Sequence, residues 1–269
     1  MFMVEKELKP IVESYNIDEE PLYNKTYLFI KGFATGRGYQ NTLRALPIAR
    51  KAHNGQYRKK TILIDNPIGD GTKIEKKVPY LLHVLKVCGT LISLNLPLSD
   101  EELDILYATS LLHDFKEDKP EIFPNSKVEF VEKFGLNERI YDIVCLLSKF
   151  EGANEYELNE YFNGIKKDKL ALLVKMADAS HNSESLYNVK NVSKNIKEMR
   201  TYILSGLSKY GKQNYPELSN GITILKSKIL SLTEAIETLL EKQDEILKEK
   251  EDKIKELENE IKKLKENKK

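Results

Sequence analysis

Residues 103–118 read Leu-Asp-Ile-Leu-Tyr-Ala-Thr-Ser-Leu-Leu-His-Asp-Phe-Lys-Glu-Asp, and their pattern decides the fold. Apolar side chains recur at Leu103, Leu106, Tyr107 and Leu111, the three-and-four spacing of one helix face. Ser99 and Glu102 precede them in capping-box spacing, which gives that helix its start. Upstream, Leu82, Leu85, Val87 and Leu91 suggest a second helix, and further helices are expected over 127–134, 138–149, 155–164, 169–181 and 191–210. The body therefore reads as all-α.

One interruption is of a different kind. Over 61–78 the β-branched run Thr-Ile-Leu-Ile meets Asn66-Pro67-Ile68-Gly69-Asp70-Gly71 and then Thr-Lys-Ile-Glu-Lys-Lys-Val, which predicts a surface hairpin. Before it, 41–53 predicts a helix kinked at Pro47 and stopped by Asn54-Gly55. The first 40 residues are mixed, with short helices expected at 5–15 and 22–31 and a glycine-rich link over 32–38, packed on the main domain.

From Ile229 the apolar seam passes through Leu232, Ile236 and Leu239, then shifts to Leu240, Leu247, Ile254 and Ile261 with Leu257 and Leu264 beside it. The step from Ile236 to Leu240 is a four-residue stutter in a heptad pattern. Nearly everything else after 240 is Glu, Lys, Asp, Asn or Gln, which predicts a solvated helix that self-associates as a coiled coil. Gln243 and Lys250 fall on the seam, so a helix fraying in the monomer is the alternative.

With 43 basic against 42 acidic side chains, the chain carries no bulk charge to recruit nucleic acid or an anionic membrane. Neither an export signal nor a membrane span is expected, because the N-terminus meets charges within a few residues and the most apolar window holds His83 and Lys86. Cys88 and Cys145 both sit among apolar neighbours and read as two buried thiols, which points to the cytoplasm. Tyr156, Tyr161 and Tyr187 read as half-buried packing residues.

The chemistry lies in the histidines, each in a polar cluster within an otherwise apolar helix. Burying His113 with Asp114 at a helix end is costly unless a cation or hydrogen bonds compensate, and a metal would supply the compensation. His83, His113, Asp114 and Asp178 offer mixed nitrogen and oxygen ligation with positions left for water and a phosphate oxygen, which suits Mn²⁺ first among divalent ions. If the helix continues past the His-Asp pair, Glu117 and Asp118 share the face of Asp114 and can orient or deprotonate the water before Pro120 stops it. Lys175, Asp178 and Asn182, spaced three and four, set a cation, a ligand and an amide on one face. His53 and His181 read as packing or hydrogen-bonding residues beside the site.

Four runs, Ala52-His53-x-Gly55-Gln56-x-Arg58-Lys59, Pro79-Tyr80-x-x-His83, Leu111-Leu112-His113-Asp114-x-x-Glu117-Asp118 and Lys175-x-Ala177-Asp178-x-x-His181-Asn182, together resemble the HD hydrolase domain of RelA/SpoT-type alarmone enzymes. The resemblance, carried by about residues 43–190, implies an all-helical HD fold, which we place over 41–228, with 1–40 as an N-terminal extension packed on it and the heptad seam of 229–269 as a coiled-coil tail. It implies a hydrolase-only member that cleaves (p)ppGpp at the 3′ pyrophosphate, giving GDP or GTP and pyrophosphate. His83, His113, Asp114 and Asp178 would then hold manganese, Glu117 and Asp118 would be catalytic, and Arg58, Lys59, Lys175, Asn182 and Ser185 would meet the nucleotide. Expected partners are this small molecule and, through the tail, further copies of the chain. Ala179 and Glu184 stand where the family has basic residues, Ser185 where threonine is common, and the hairpin fills a much shorter family connection. An HD phosphohydrolase acting on another nucleotide is the alternative that these departures favour.

Overall fold

The computed structural model describes residues 20–65, 73–149, 152–186 and 191–266. The chain divides into two compact units, Met1–Ile229 and Leu230–Lys269. In the first, α1 (Glu20–Arg37) and α2 (Gln40–Ala52) lead into a two-stranded antiparallel sheet, β1 (Tyr57–Asp65) and β2 (Lys73–Pro79). Then follow α3 (Tyr80–Ser93), α4 (Asp100–Leu112), a single turn α5 (Phe115–Asp118), α6 (Lys127–Phe134), α7 (Glu138–Leu147), α8 (Glu155–Ile165) and α9 (Lys169–Ser183). After α10 (Val192–Glu198) a π-helical stretch, Met199–Leu207, leads to α11 (Ser208–Asn214), and α12 (Ser219–Glu266) closes the sequence. The all-α body and its hairpin are as expected, with the pairing Ile64↔Ile74 and Thr61↔Lys77 in register and the strand beginning earlier, at Tyr57.

Helix α9 is the axis of the core. Leu170 to Val174 and Met176 to His181 are buried, so the helix is covered on nearly every side, by α3, α4, α7 and α8 among others. Each leucine so covered stabilises the fold by about 1.5–3 kcal/mol. Helix α4 has the expected Ser99–Glu102 capping box and packs on α2, α3 and α7 as well as α9. Its buried Asp104 reaches across to the start of α2, whose own cap residue Tyr39 supplies no side-chain cap. There it accepts from the Asn41 and Thr42 backbone N–H groups at 2.9 and 2.8 Å and from the Thr42 hydroxyl at 2.8 Å. One carboxylate thus satisfies donors that the first turn of a helix leaves open.

Several expectations are corrected. The glycine-rich stretch 32–38 is no link: α1 runs through Gly32 and Gly36 because the opposite face buries Tyr23, Ile30 and Ala34, and it ends at Gly38, where φ is +73°. Helix α4 does not continue through the His-Asp pair: it ends at Leu112 and a separate turn begins at Phe115, while His113 Nδ1 donates to the Ser110 carbonyl at 2.7 Å. The helix expected over 191–210 contains the π-helical stretch. Cys88 is buried, but Cys145 is only half-buried and accepts from Lys116 Nζ at 3.3 Å. Tyr156 is 73% exposed rather than half-buried. The helix expected at 5–15 and Tyr187 lie outside the described residues.

In the second unit, Leu247, Ile254, Leu257 and Ile261 are 50, 55, 48 and 51% exposed, a stripe of large apolar groups on a charged helix. No helix of the described residues is long and apolar enough to cross a membrane.

Candidate functional site

Three helices deliver the cluster. His83 lies in the first turn of α3, fixed by the strand β2 that precedes it; His113 and Asp114 lie where α4 stops; and Asp178 projects from α9. Asp114 Oδ2 is 3.5 Å from His83 Nε2 and 3.1 Å from His113 Nε2. Asp178 Oδ1 is 3.2 and 3.7 Å from the same two nitrogens. Ligand atoms about 2.0–2.2 Å from a shared ion stand about 3–4 Å from one another, so these spacings suit one cation. His83, His113 and Asp178 each offer an atom within 4.8 Å of the others.

The two Nε2 atoms are buried and make no hydrogen bond, which is costly for polar nitrogens unless a cation takes their lone pairs. His113 is the clearer of the two, because a carbonyl can only accept: with Nδ1–H donating to Ser110, a neutral His113 turns a lone pair into the cluster. The electrostatics agree. Burial disfavours a charged His113, yet Asp114 and Asp178 outweigh it and push its pKa up to about 10. Burial likewise opposes ionisation of both carboxylates, and for Asp114 the two histidines, and for Asp178 Lys175 with the histidines, hold them well below the usual range. Such a field holds a proton strongly, and a divalent cation more strongly.

Around the cluster runs a wired wall. Lys175 Nζ is 3.1 Å from Asp178 Oδ2, and Asn182 Nδ2 donates to Asp178 Oδ1 at 2.6 Å. Arg58 Nη2 donates to Asn182 Oδ1 at 2.8 Å and to Ser185 Oγ at 3.3 Å. The Arg58 guanidinium also lies over the Tyr80 ring, 5.6 Å from its centroid. A cavity of about 260 Å³ opens here, lined by Arg58, Lys149, Tyr161, Lys175, Ala179 and Asn182 among others. Of the expected nucleotide residues, Arg58, Lys175, Asn182 and Ser185 therefore meet at one cavity beside Asp178. Lys59 lies on β1 with its side chain outside the described residues.

The two remaining acids face different neighbours. Asp118 Oδ2 accepts from Gln56 Nε2 at 2.8 Å and lies 3.9 Å from His53 Nδ1. Glu117 accepts from the Lys149 backbone N–H at 3.0 Å, and burial, with the nearby charge of Asp114, pushes its carboxyl up. His53 sits beside the site as expected: it is buried, stacks on Tyr80 with centroids 5.0 Å apart, and bonds Gln56 Oε1 at 2.8 Å. Burial lowers its pKa, keeping it neutral.

Sequence reasoning gave no role at the site to Gln56, Tyr80, Lys149 or Tyr161. Tyr80 donates its hydroxyl to Asp114 Oδ2 at 2.7 Å, and Tyr161, read as packing, anchors its hydroxyl on the Leu147 carbonyl at 2.7 Å while lining the cavity. Gln56 and Tyr80 carried a signal, since both are polar groups inside the quoted runs; Lys149 and Tyr161 carried none.

The fold and cluster define a helical protein in which buried His83, His113 and Asp178 and half-buried Asp114 meet beside a cationic cavity. No family model matches the chain. Among solved structures it is similar to a metazoan ortholog of SpoT, described as hydrolysing ppGpp and playing a role in starvation responses. That likeness has 19% identity and a TM-score of 0.45, covering 73% of this chain and 95% of the other.

Proposed function

We propose that this chain is a metal-dependent phosphohydrolase, with Mn²⁺ as its ion, that removes the 3′ pyrophosphate of (p)ppGpp to give GDP or GTP and pyrophosphate. One observation carries the reading: buried, unbonded nitrogens of His83 and His113 converge with Asp114 and Asp178 next to a cavity lined by Arg58 and Lys175. When bound, the ion lowers the pKa of a bound water and screens the pyrophosphate charge. Arg58 and Lys175 hold the anionic substrate, with Lys59 as a further cation and Asn182 and Ser185 fixing the guanidinium. Asp118, held by Gln56, takes the proton of the attacking water as its oxygen bonds phosphorus. Glu117, more easily protonated than an ordinary carboxyl, supplies the proton that the departing 3′ oxygen needs when the P–O bond breaks.

A second reading, another nucleotide on the same machinery, is favoured by Ala179 at the cavity wall and by Glu184, which pairs with Lys228 at 2.7 Å where the family has a basic residue. Product analysis separates the two: the manganese-loaded protein is incubated with ppGpp and a nucleotide panel, beside a chelated sample and Asp114→Ala. GDP plus pyrophosphate, lost in both controls, supports the alarmone reading. Cleavage of another nucleotide alone leaves the phosphohydrolase and removes its substrate. We further assign catalysis to 41–228, an accessory role to 1–40, self-association to 229–269 and a cytoplasmic setting to the whole.

A further inference from the structure

We propose that His181 is a positioning residue that fixes the tautomer of His83 and so opens its Nε2 to the cation. The inference rests on the reading of the cluster as a divalent-metal centre. His83 and His181 are 1 and 5% exposed, their Nδ1 atoms are 2.6 Å apart, and their rings tilt at 40° with centroids 4.7 Å apart. Two ring nitrogens at that distance share one proton, and which ring owns it decides the chemistry.

If His83 owns the proton on Nδ1, its neutral ring presents a lone pair at Nε2, toward Asp114 and Asp178. If His181 owns it, a neutral His83 must carry its proton on Nε2, pointing into the cluster and closing the position to a metal. The contrast with His113 is physical: its partner is the Ser110 carbonyl, which can only accept, whereas an imidazole can donate or accept. His83 therefore needs a neighbour already committed to accepting. His181 meets this need if its proton is kept on Nε2; the Glu184 carboxylate, which Lys228 holds, lies 3.9 Å from that atom, beyond hydrogen-bond reach, and biases the proton there through its charge alone. The placement is also rigid, because α9 carries His181 three residues after Asp178, so acceptor and ligand move as one body.

The chain of 269 residues is titrated with Mn²⁺, the free ion being followed by electron paramagnetic resonance, for wild type, His181→Ala and His181→Asn. Asparagine keeps an acceptor oxygen close to the place of Nδ1. Removing the partner of a ligating histidine typically costs 10–100-fold in affinity, so His181→Ala should bind about 10–100-fold more weakly and His181→Asn within about threefold of wild type. Equal behaviour of the two variants, whether both like wild type or both weakened alike, overturns the proposal. A wild type that binds no Mn²⁺ overturns the metal reading itself. Nitrogen-15 spectra of histidine-labelled wild type loaded with Zn²⁺ give an independent reading: protons are expected on His83 Nδ1 and His181 Nε2, and a proton on His181 Nδ1 defeats the proposal.

Discussion

The Tyr80 hydroxyl donates to Asp114 Oδ2 at 2.7 Å, the same oxygen that lies 3.1 Å from His113 Nε2. Burial, with the charges of Asp114 and Asp118, raises the pKa of Tyr80, so it is a donor at neutral pH. Its ring does separate work, stacking on His53 and underlying Arg58. Tyr80→Phe keeps the ring and removes the donor. We expect about 10–100-fold weaker Mn²⁺ binding with KM nearly unchanged, while Tyr80→Leu also raises KM by freeing Arg58. Metal titration beside initial rates checks this; a Phe variant with wild-type affinity means that Asp114 needs no orienting donor.

Gln56 bridges His53 and Asp118, accepting on Oε1 and donating from Nε2. Asp118→Asn should reduce kcat by about 10²–10⁴-fold, as expected for loss of a general base. Gln56→Glu replaces the donor to Asp118 by a like charge and should slow turnover more than Gln56→Ala does. In all three variants Mn²⁺ affinity stays near wild type, because none removes a ligand. Reduced metal binding in Asp118→Asn would move that residue from proton transfer to ligation.

The metal-free centre has a pH signature. In the folded chain Asp114 and Asp178 overcome burial and lift the His113 pKa from an ordinary 6.5 to about 10. A raised folded pKa contributes stability that is full below about pH 6.5 and is lost as pH rises through about 10. Chelated protein should therefore lose thermal stability across that window, and Asp114→Asn should lose less because one of the two attracting charges is gone. With Mn²⁺ in excess the trend reverses, since proton competition for His113 weakens as pH rises. Melting curves with and without chelator test both signs, and a metal-free melting temperature flat across the window in both proteins removes the ion pair.

How much of this was legible in the sequence follows from the range of the interactions. His113-Asp114 could be read because the two are adjacent in sequence, and Lys175-Asp178-Asn182 because helical spacing brings them together locally. The Tyr80–Asp114 and Gln56–Asp118 bonds join residues 34 and 62 apart in sequence, a distance at which periodicity says nothing. Asp104 is similar: nothing local distinguishes it from another polar residue on a helix, and its bond to the first turn of α2 spans 62 positions. Local rules also failed where burial outvoted them, as at Gly32 and Gly36, which stay helical because Ile30 and Ala34 are fully covered. The π-helical stretch had no local marker; there the Tyr202 ring lies flat on Phe162 at 4.6 Å, a tertiary contact.

The tail offers a separable test. Leu247, Ile254, Leu257 and Ile261 stand about half exposed on a helix otherwise rich in Glu and Lys, and exposed apolar rows of this kind mark association surfaces. In a coiled coil such a seam is covered by a second helix, and Gln243 and Lys250 on it lower stability while specifying register. Deleting 242–269 should lower the solution mass without changing turnover, because every residue assigned to the site precedes it. Ile254→Glu should act like the deletion, since it buries a charge at the middle of the seam. Light scattering reads both, with the intact protein showing a concentration-dependent mass that the variants lack. An oligomer unchanged by either variant rules out the tail as the interface, and lost turnover in the truncated protein couples assembly to catalysis.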